Sequence, residues 1–194
     1  MKSLEVPSCI KGLIFDCDGT LVDSMPLHMK AWEHALTQEG AVWDYDFIFS
    51  KKGMPGEDII ELYIHYFDIK LHPLKVLRSK QEYFRNHRKE FMPIQPVVDI
   101  VLRYKGDLPM AVASGSSMEN VDIQLEALGL RSYFQAIVTA DDNVRPKPAP
   151  DIFLEAAKRI NIAPKYCQVF EDGDLGLEAA KKAGMLATDV RPFL

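Results

Sequence analysis

Short, uninterrupted apolar runs recur along this 194-residue chain and constrain its fold more than any other feature. Runs without polar alternation are typical of strands that are buried on both faces of a sheet. Helical patterns lie between them, and glycines follow two of these patterns. The alternation predicts an α/β fold, in which helices cover both faces of a parallel sheet. The runs occupy residues 13–15, 110–113, 136–138, 169–170 and 186–190, and the helical patterns occupy residues 118–128, 152–160 and 179–183.

The segment 25–92 interrupts this alternation and contains no strand pattern. Prolines are placed to open three helices there, and the third helix is expected to carry a stripe of apolar side chains. We therefore predict a Rossmann-like core formed by residues 1–24 and 93–194, with residues 25–92 inserted as a helical-bundle cap. The prolines are Pro26, Pro55 and Pro73, and the expected stripe is Leu74, Leu77, Phe84 and Phe91.

Composition excludes several other classes of protein. The chain is 47% hydrophobic and 26% charged, which excludes a disordered or collagen-like chain. Its 28 acidic and 23 basic residues argue against a general nucleic-acid binder. A basic stretch from Lys75 to Lys89 is interrupted by Glu82, and we interpret it as a solvated helix face. Three cysteines without a C-x-x-C pair are typical of reduced thiols.

No segment resembles a membrane span or a secretory signal. Residues 1–12 lack an apolar signal region, and no apolar run approaches the ~20 residues that a transmembrane helix needs. We therefore expect a cytoplasmic protein that binds neither membranes nor nucleic acid.

Chemically useful residues follow each of four predicted strands. In a doubly wound sheet, ligands bind beyond the carboxyl ends of the strands, so these residues are expected to meet. Like charges about 4 Å apart cost about 4 kcal/mol per pair at an effective dielectric of about 20, so the carboxylates need a cation. The segments are Asp16-Cys17-Asp18-Gly19-Thr20, Ser114-Gly115-Ser116, Arg145-Pro146-Lys147-Pro148 and Glu171-Asp172-Gly173-Asp174.

The residue types indicate phosphoryl transfer. Carboxylates without histidine or cysteine partners favour Mg²⁺, which keeps positions open for water and a substrate phosphate. Lys147, the hydroxyls of Thr20 and Ser114, and backbone amides such as that of Gly115 are predicted to hold the phosphoryl oxygens.

The Asp-x-Asp spacing suggests two roles. Side chains two residues apart on a strand point the same way, so Asp16 and Asp18 are expected to face one substrate. An ionised Asp16 can attack phosphorus without an activating base, which would form an aspartyl-phosphate. Asp18 can protonate the leaving oxygen and later take a proton from the attacking water.

These motifs, in order, resemble those of haloacid dehalogenase-like hydrolases over nearly the whole chain. The stretch 147–153 resembles the β-phosphoglucomutase subgroup, which carries a helical cap, and within it bacterial phosphatases acting on fructose 1-phosphate and 6-phosphogluconate. The resemblance implies a monomer in which Asp16 is the nucleophile, Asp18 is the acid/base, and Ser114 and Lys147 hold phosphate. It implies Mg²⁺ on Asp16, the Asp18 carbonyl, Glu171 and Asp172.

Departures from the subgroup affect the choice of reaction. Mutases carry a cap arginine where this chain has Gly56, which favours hydrolysis. His28 matches a histidine that contacts the leaving group in the subgroup, and Lys52 is a further candidate for substrate binding. Asp174 alone is interpreted as a helix cap.

Other functions stay open on the sequence. The nearer alternative is a phosphomutase, and the more distant one is a non-catalytic phosphate-binding module. A calcium loop is disfavoured because Leu21 occupies the position where an EF-hand needs glycine. A phosphoacceptor receiver domain would not need the helical insert.

Overall fold

The structure, a computed structural model, describes residues 4–52 and 54–194. Residues 1–3, which begin the segment in which we predict no secretory signal, and Gly53 lie outside this description. The chain divides into two compact units, one made of residues up to Asp23 together with Phe91–Leu194 and the other of Ser24–Glu90. Among the described residues, no helix is long and apolar enough to cross a membrane.

The elements of the first unit alternate between strand and helix after residue 94, whereas the second unit is helical. The strands are β1 (Gly12–Phe15), β2 (Val22–Asp23), β3 (Met92–Pro93), β4 (Met110–Ala113), β5 (Ala136–Val138), β6 (Cys167–Glu171) and β7 (Leu186–Asp189). The α-helices are α1 (Met25–Gln38), α2 (Tyr45–Ser50), α3 (Gly56–Phe67), α4 (Pro73–Asn86), α5 (Gln95–Tyr104), α6 (Met118–Ala127), α7 (Asp151–Arg159) and α8 (Asp174–Lys182). Short 3-10 turns cover Arg88–Glu90, Arg131–Tyr133, Pro164–Tyr166 and Arg191–Phe193.

Five parallel strands form the main sheet in the order β5-β4-β1-β6-β7. The predicted Rossmann-like α/β fold is thereby confirmed. The chain builds outward from β1 through β4 to β5, and then crosses to the other side of β1 to form β6 and β7. Strand order therefore reverses at β1, and the crevice outside the carboxyl ends of β1 and β6 is where such sheets bind ligands.

Alternating side chains of β1 pack on opposite faces of the sheet. Ile14 belongs to an apolar cluster with residues of α7 and α8, including Phe153 and Ala180. Phe15, one residue later, stacks on Phe170 with ring centroids 4.9 Å apart and meets Phe134 edge-on at 5.9 Å. Both faces of the central strand are thus buried, as the uninterrupted apolar run predicts.

A second, two-stranded sheet pairs β2 with β3 in antiparallel register. Val22 lies opposite Pro93, and Asp23 lies opposite Met92. No sequence pattern predicts this sheet, because a strand of two residues is too short to reveal alternation. The pairing joins the point where the chain leaves the first unit to the point where it returns.

Helices α1 to α4 enclose their own apolar core, in which Trp32, Leu36, Ile60 and Tyr63 are buried. The three predicted helices are present as α1, α3 and α4. Pro26 lies in the first turn of α1, Pro55 is the N-cap of α3, and Pro73 is the first residue of α4. Helix α2 was not predicted, since it is only six residues long. Its N-cap is Asp44, whose side chain accepts a hydrogen bond from the Phe47 amide at 2.8 Å.

The predicted apolar stripe of α4 is wrong in two places. Leu74 is 67% exposed, and Phe91 lies beyond the end of the helix, in the other unit. The buried positions of α4 are Val76 and Phe84. The 3.5-residue spacing extended across the helix end at Asn86, where the chain turns and no periodicity holds.

Candidate active site

The carboxyl ends of β1 and β6 bring three acidic side chains together. The Asp16 amide donates to the Phe170 carbonyl oxygen at 3.0 Å, which continues the parallel ladder one residue beyond β1. Carboxylate oxygens of Asp16, Glu171 and Asp172 lie within 4.8 Å of one another. Asp16 is 6% exposed and Glu171 is 3% exposed. Carboxylates that lie this close together and are shielded from solvent repel one another unless cations neutralise them.

Lys147 supplies one such cation from the loop between β5 and α7. Its Nζ donates to Asp16 Oδ1 at 2.6 Å and to Glu171 Oε2 at 2.7 Å. Burial lowers the pKa of the Lys147 ammonium, but Asp16 and Glu171 raise it by more, so the pKa lies above its usual range. The lysine therefore stays charged, and its loop places it against carboxylates at the carboxyl ends of β1 and β6.

One lysine does not neutralise this acidic cluster. Burial, followed by the charge of Glu171, raises the pKa of the Asp16 carboxyl well above its usual value, and Lys147 opposes this only in part. Burial and Glu171 also raise the pKa of Asp172. A further cation among these oxygens would favour the ionised carboxylates, and oxygen-only donors are those that Mg²⁺ prefers. The residues present therefore fit a Mg²⁺ site.

Two glycines leave room for the carboxylates. Gly19 has a φ of +82°, and a Cβ there would lie 2.5 Å from a carboxylate oxygen of Asp172. A Cβ on Gly176 would overlap the Glu171 carboxylate. Gly173 contributes differently, because its amide donates to Glu171 Oε1 at 2.9 Å. Gly19 and Gly173 in the turns and Gly176 in α8 thus permit or hold the positions of the acidic groups.

Asp18 lies in the same turn as Asp16 and receives hydrogen bonds from two other segments. Ser116 Oγ donates to one Asp18 oxygen at 2.6 Å, and Gln124 Nε2 donates to the other at 3.0 Å. Neither partner of Asp18 is among the site residues predicted from the sequence. Gln124 had a detectable signal, since it lies three residues after Val121, within the apolar stripe of α6, where a polar side chain is unusual.

The predicted phosphate-binding residues lie at the same strand ends. Ser114 follows β4 and is 1% exposed, and its Oγ accepts a hydrogen bond from the Ser116 amide at 3.1 Å. Gly115 is exposed beside it. The Thr20 hydroxyl donates to Asp172 Oδ1 at 2.9 Å, a contact that sequence analysis did not predict. Contact of these residues with phosphate stays a prediction.

His28 and Lys52 belong to the helical unit. The His28 ring stacks on Phe84 with centroids 4.4 Å apart, and the Lys52 ammonium lies 5.5 Å from the centre of the Phe49 ring. Their substrate contacts stay predictions.

The interpretation of Asp174 as a helix cap is wrong. Gly173 occupies the N-cap position of α8, with extended backbone, and Asp174 begins the helix itself. Its exposed carboxylate pairs with Arg191 at 2.9 Å. Gly173 and Asp174 are neighbours in the chain, and the turn after β6 places the N-cap one residue earlier than the polar pattern indicates.

The strand ends of a Rossmann-like sheet converge here on a largely buried lysine and three carboxylates. This arrangement defines a class of α/β enzymes with an acidic, oxygen-lined site. Within that class, the chain belongs to the haloacid dehalogenase-like hydrolases, whose family pattern matches residues 13–190. The predicted membership of this family is confirmed. The prediction that the protein is an enzyme, a phosphoric monoester hydrolase of the haloacid dehalogenase-like type, is also confirmed.

Three known proteins illustrate the relationship. A fructose-1-phosphate phosphatase of Escherichia coli, YqaB, is 42% identical over 180 residues, which cover 93% of this chain and 96% of the relative. A β-phosphoglucomutase of Bacillus subtilis is 28% identical over 93% of this chain and 83% of its own length. The crystal structure of CbbY from Rhodobacter sphaeroides in complex with phosphate has a TM-score of 0.79 at 27% identity, and covers 92% of this chain and 84% of that one.

Proposed function

We propose that the protein is a Mg²⁺-dependent phosphatase that hydrolyses a small phosphorylated metabolite, a sugar phosphate, through an aspartyl-phosphate. The contact of Lys147 with both Asp16 and Glu171 carries this proposal. It joins a candidate nucleophile to a permanent cation in a site too acidic to be stable without positive charge. The E. coli relative named as a fructose-1-phosphate phosphatase supports the choice of substrate class.

Asp16 acts as the nucleophile in the proposed reaction. One carboxylate oxygen attacks phosphorus, the bond from phosphorus to the sugar oxygen breaks, and Asp18 gives its proton to that oxygen. Water then attacks the aspartyl-phosphate and passes a proton to Asp18. The bond from phosphorus to Asp16 breaks, and inorganic phosphate leaves with both aspartates restored.

The cationic and polar groups stabilise charge on the transferring phosphoryl group. Lys147 already lies 2.6 Å from Asp16, so its ammonium is placed beside the reacting oxygens. Ser114 and the Gly115 amide, at the end of the neighbouring strand β4, are proposed to bind the other phosphoryl oxygens. Thr20 holds Asp172 by its hydroxyl and is proposed to act through that contact.

Asp16, Glu171, Asp172 and the Asp18 carbonyl are proposed to hold Mg²⁺. When bound, the ion offsets the negative charge of the carboxylates and of the substrate phosphate. Asp16 and Asp172 have raised pKa values in its absence, so their ionisation and metal binding would favour each other.

A phosphomutase is the second candidate, because the B. subtilis relative carries that name. Gly56 disfavours it. The residue begins α3, and a Cβ there would lie 3.0 Å from the Leu77 side chain, so Leu77 borders the position from which a mutase arginine would extend. A mutase would transfer the phosphoryl group of Asp16 to a second sugar hydroxyl and would require a bisphosphate for turnover.

The division of the chain into two units suggests that catalysis and substrate selection are carried by different units. We propose that residues 1–24 and 93–194 carry the phosphoryl chemistry, and that the insert, residues 25–92 with His28 and Lys52, contributes to substrate selection. We further propose that the protein acts as a monomer in the cytoplasm.

The test is phosphate release from a panel of phosphomonoesters that includes fructose 1-phosphate and 6-phosphogluconate, with Mg²⁺ and with chelator. Native protein is compared with Asp16→Asn and with Asp107→Asn, a matched change on the exposed surface. We expect Mg²⁺-dependent release that Asp16→Asn abolishes and Asp107→Asn preserves. Equal rates from Asp16→Asn would exclude the aspartyl-phosphate. Turnover only with a sugar 1,6-bisphosphate would identify a mutase, and phosphate binding without turnover would identify a binding module.

A further inference from the structure

A glutamine buried in α6 contacts two consecutive residues of the first motif. Gln124 is 0% exposed, and its Nε2 donates to Asp18 Oδ1 at 3.0 Å. Its Oε1 accepts a hydrogen bond from the Cys17 thiol at 3.6 Å. A primary amide is costly to bury unless its polar atoms are paired, so a glutamine at this position needs partners of this kind. Both of its ends face the turn that follows β1.

The Cys17 contact determines which end of the amide faces Asp18. Cys17 is fully buried, and its Sγ lies within hydrogen-bonding range of Gln124 Oε1. A thiol can donate to Oε1, which leaves the NH₂ end of the amide toward the Asp18 carboxylate. The glutamine is thus held in the orientation in which it donates to Asp18.

The second donor to Asp18 comes from another segment. Ser116 Oγ lies 2.6 Å from Oδ2, so each carboxylate oxygen receives a hydrogen bond from a different part of the fold. The terminal torsion of an aspartate is broad and nearly two-fold, so a carboxyl group without such partners rotates easily. Two donors on two oxygens define the plane of the Asp18 carboxyl group, and Gln124 is the one that is anchored in the core.

We propose that Gln124 is a positioning residue that orients Asp18 for proton transfer to the departing oxygen, an inference that rests on the proposed phosphatase function. Misplacing a reacting group by about 1 Å can cost about 100-fold in rate. The effect depends on the substrate. A sugar alkoxide is a poor leaving group and needs the proton, whereas 4-nitrophenolate leaves without one. Gln124 therefore increases the rate of hydrolysis of alkyl phosphates more than that of aryl phosphates.

The test compares Gln124→Met with native protein on two esters, fructose 1-phosphate and 4-nitrophenyl phosphate. Methionine has a similar length and fills the same space without a donor. The value of kcat/KM reports the step in which the ester bond breaks. We expect it to fall about 10- to 100-fold for the sugar phosphate. This is part of the rate factor of about 10² to 10⁴ that general acid–base catalysis contributes. For the aryl ester we expect a change below about threefold.

A second glutamine provides the matched control. Gln168 is 1% exposed and donates to the Glu5 carbonyl oxygen and to Thr188 Oγ1. Gln168→Met makes the same buried substitution away from Asp18, and we expect it to leave the ratio of the two kcat/KM values unchanged. Gln124→Glu keeps the side-chain shape, replaces the donor by an oxygen, and provides a second variant if the methionine protein does not fold.

The outcomes separate the two proposals. Selective loss on the sugar phosphate in a Gln124 variant, but not in Gln168→Met, supports the positioning role. Equal losses on both esters, or the same selectivity from Gln168→Met, overturn that role and leave the phosphatase intact. If native protein hydrolyses neither these two esters nor any other ester of the panel above, the proposed function fails and the role of Gln124 fails with it.

Discussion

Replacing Lys147 by methionine removes the ammonium from between two buried carboxylates. The side chain of Lys147 is 15% exposed, and the side chains of Asp16 and Glu171, without their backbone atoms, are 8% and 4% exposed. The ammonium lies 2.6 Å from Asp16 and 2.7 Å from Glu171. Removing one partner of a buried ion pair costs about 3–5 kcal/mol, because the other charge is left without compensation. We expect the free energy of unfolding, measured by urea denaturation in chelator, to fall by about this amount at pH 8.

The loss is expected to depend on pH. The folded-state pKa of Asp16 is already raised by burial and Glu171, and it rises further without the lysine. A group whose pKa is higher in the folded state than in the unfolded state favours folding at low pH, and that contribution is lost as pH rises through the folded pKa. The Lys147→Met protein should therefore lose stability from pH 5.5 to pH 8 relative to native protein, by up to about 1.4 kcal/mol per pH unit for each proton.

An exposed lysine serves as the control for this experiment. Lys158 pairs with Glu155 at 3.2 Å, but its side chain is 79% exposed, and exposed pairs contribute about 0–1 kcal/mol. Lys158→Met should change stability by less than about 1 kcal/mol at either pH. If Lys147→Met also lost less than about 1 kcal/mol, Lys147 would not compensate a buried acidic cluster. A loss in Lys147→Met that is equal at pH 5.5 and pH 8 would refute that view as well.

Three other features can be tested: the packing of Gly176, the reactivity of the thiols and the metal site. Gly176→Ala forces a Cβ into the Glu171 carboxylate, so we expect a loss of about 1–3 kcal/mol in denaturation experiments together with reduced phosphatase activity, and full activity would contradict the packing. Exposed Cys9 should react with a thiol reagent at pH 8 in folded protein. Cys17 should react only after unfolding, because burial and its acidic neighbours raise its pKa. Mass spectrometry of the labelled peptides would distinguish the two thiols. Mg²⁺ at about 100 times its dissociation constant should stabilise native protein by about 2.7 kcal/mol in thermal or urea unfolding, and an undiminished effect in Asp172→Asn would exclude that residue as a ligand.

Much of the sheet could be predicted because local sequence and tertiary environment agree there. The residues of β1 and β4 are apolar at every position, and both strands are covered on both faces, so pattern and burial give the same answer. Convergence of Asp16, Lys147 and Glu171 also followed from a rule about sheets, since polar residues after parallel strands meet at one edge. Their distances, and the ion pairs among them, required the structure.

The errors lie where local patterns are short or extend past an element. Helix α2 and the β2–β3 sheet contain too few residues for periodicity to appear. The stripe assigned to α4 continued to Phe91 although the helix ends at Asn86, because spacing alone does not reveal a helix end. Thr20 was assigned to phosphate from its residue type, and only the folded chain reveals that its hydroxyl meets Asp172, which is distant in sequence.

The sequence by itself determined the α/β fold, the order of the strand-end motifs and the acidic character of the site, because these depend on periodicity and residue type along short segments. Tertiary structure alone decided which donor meets which oxygen. Gln124 is 106 positions from Asp18 in sequence, and it reaches the carboxylate only because α6 packs its buried face against the turn after β1. A hydrogen bond requires two groups within about 3 Å and in line, and no local pattern encodes such a distance across the fold.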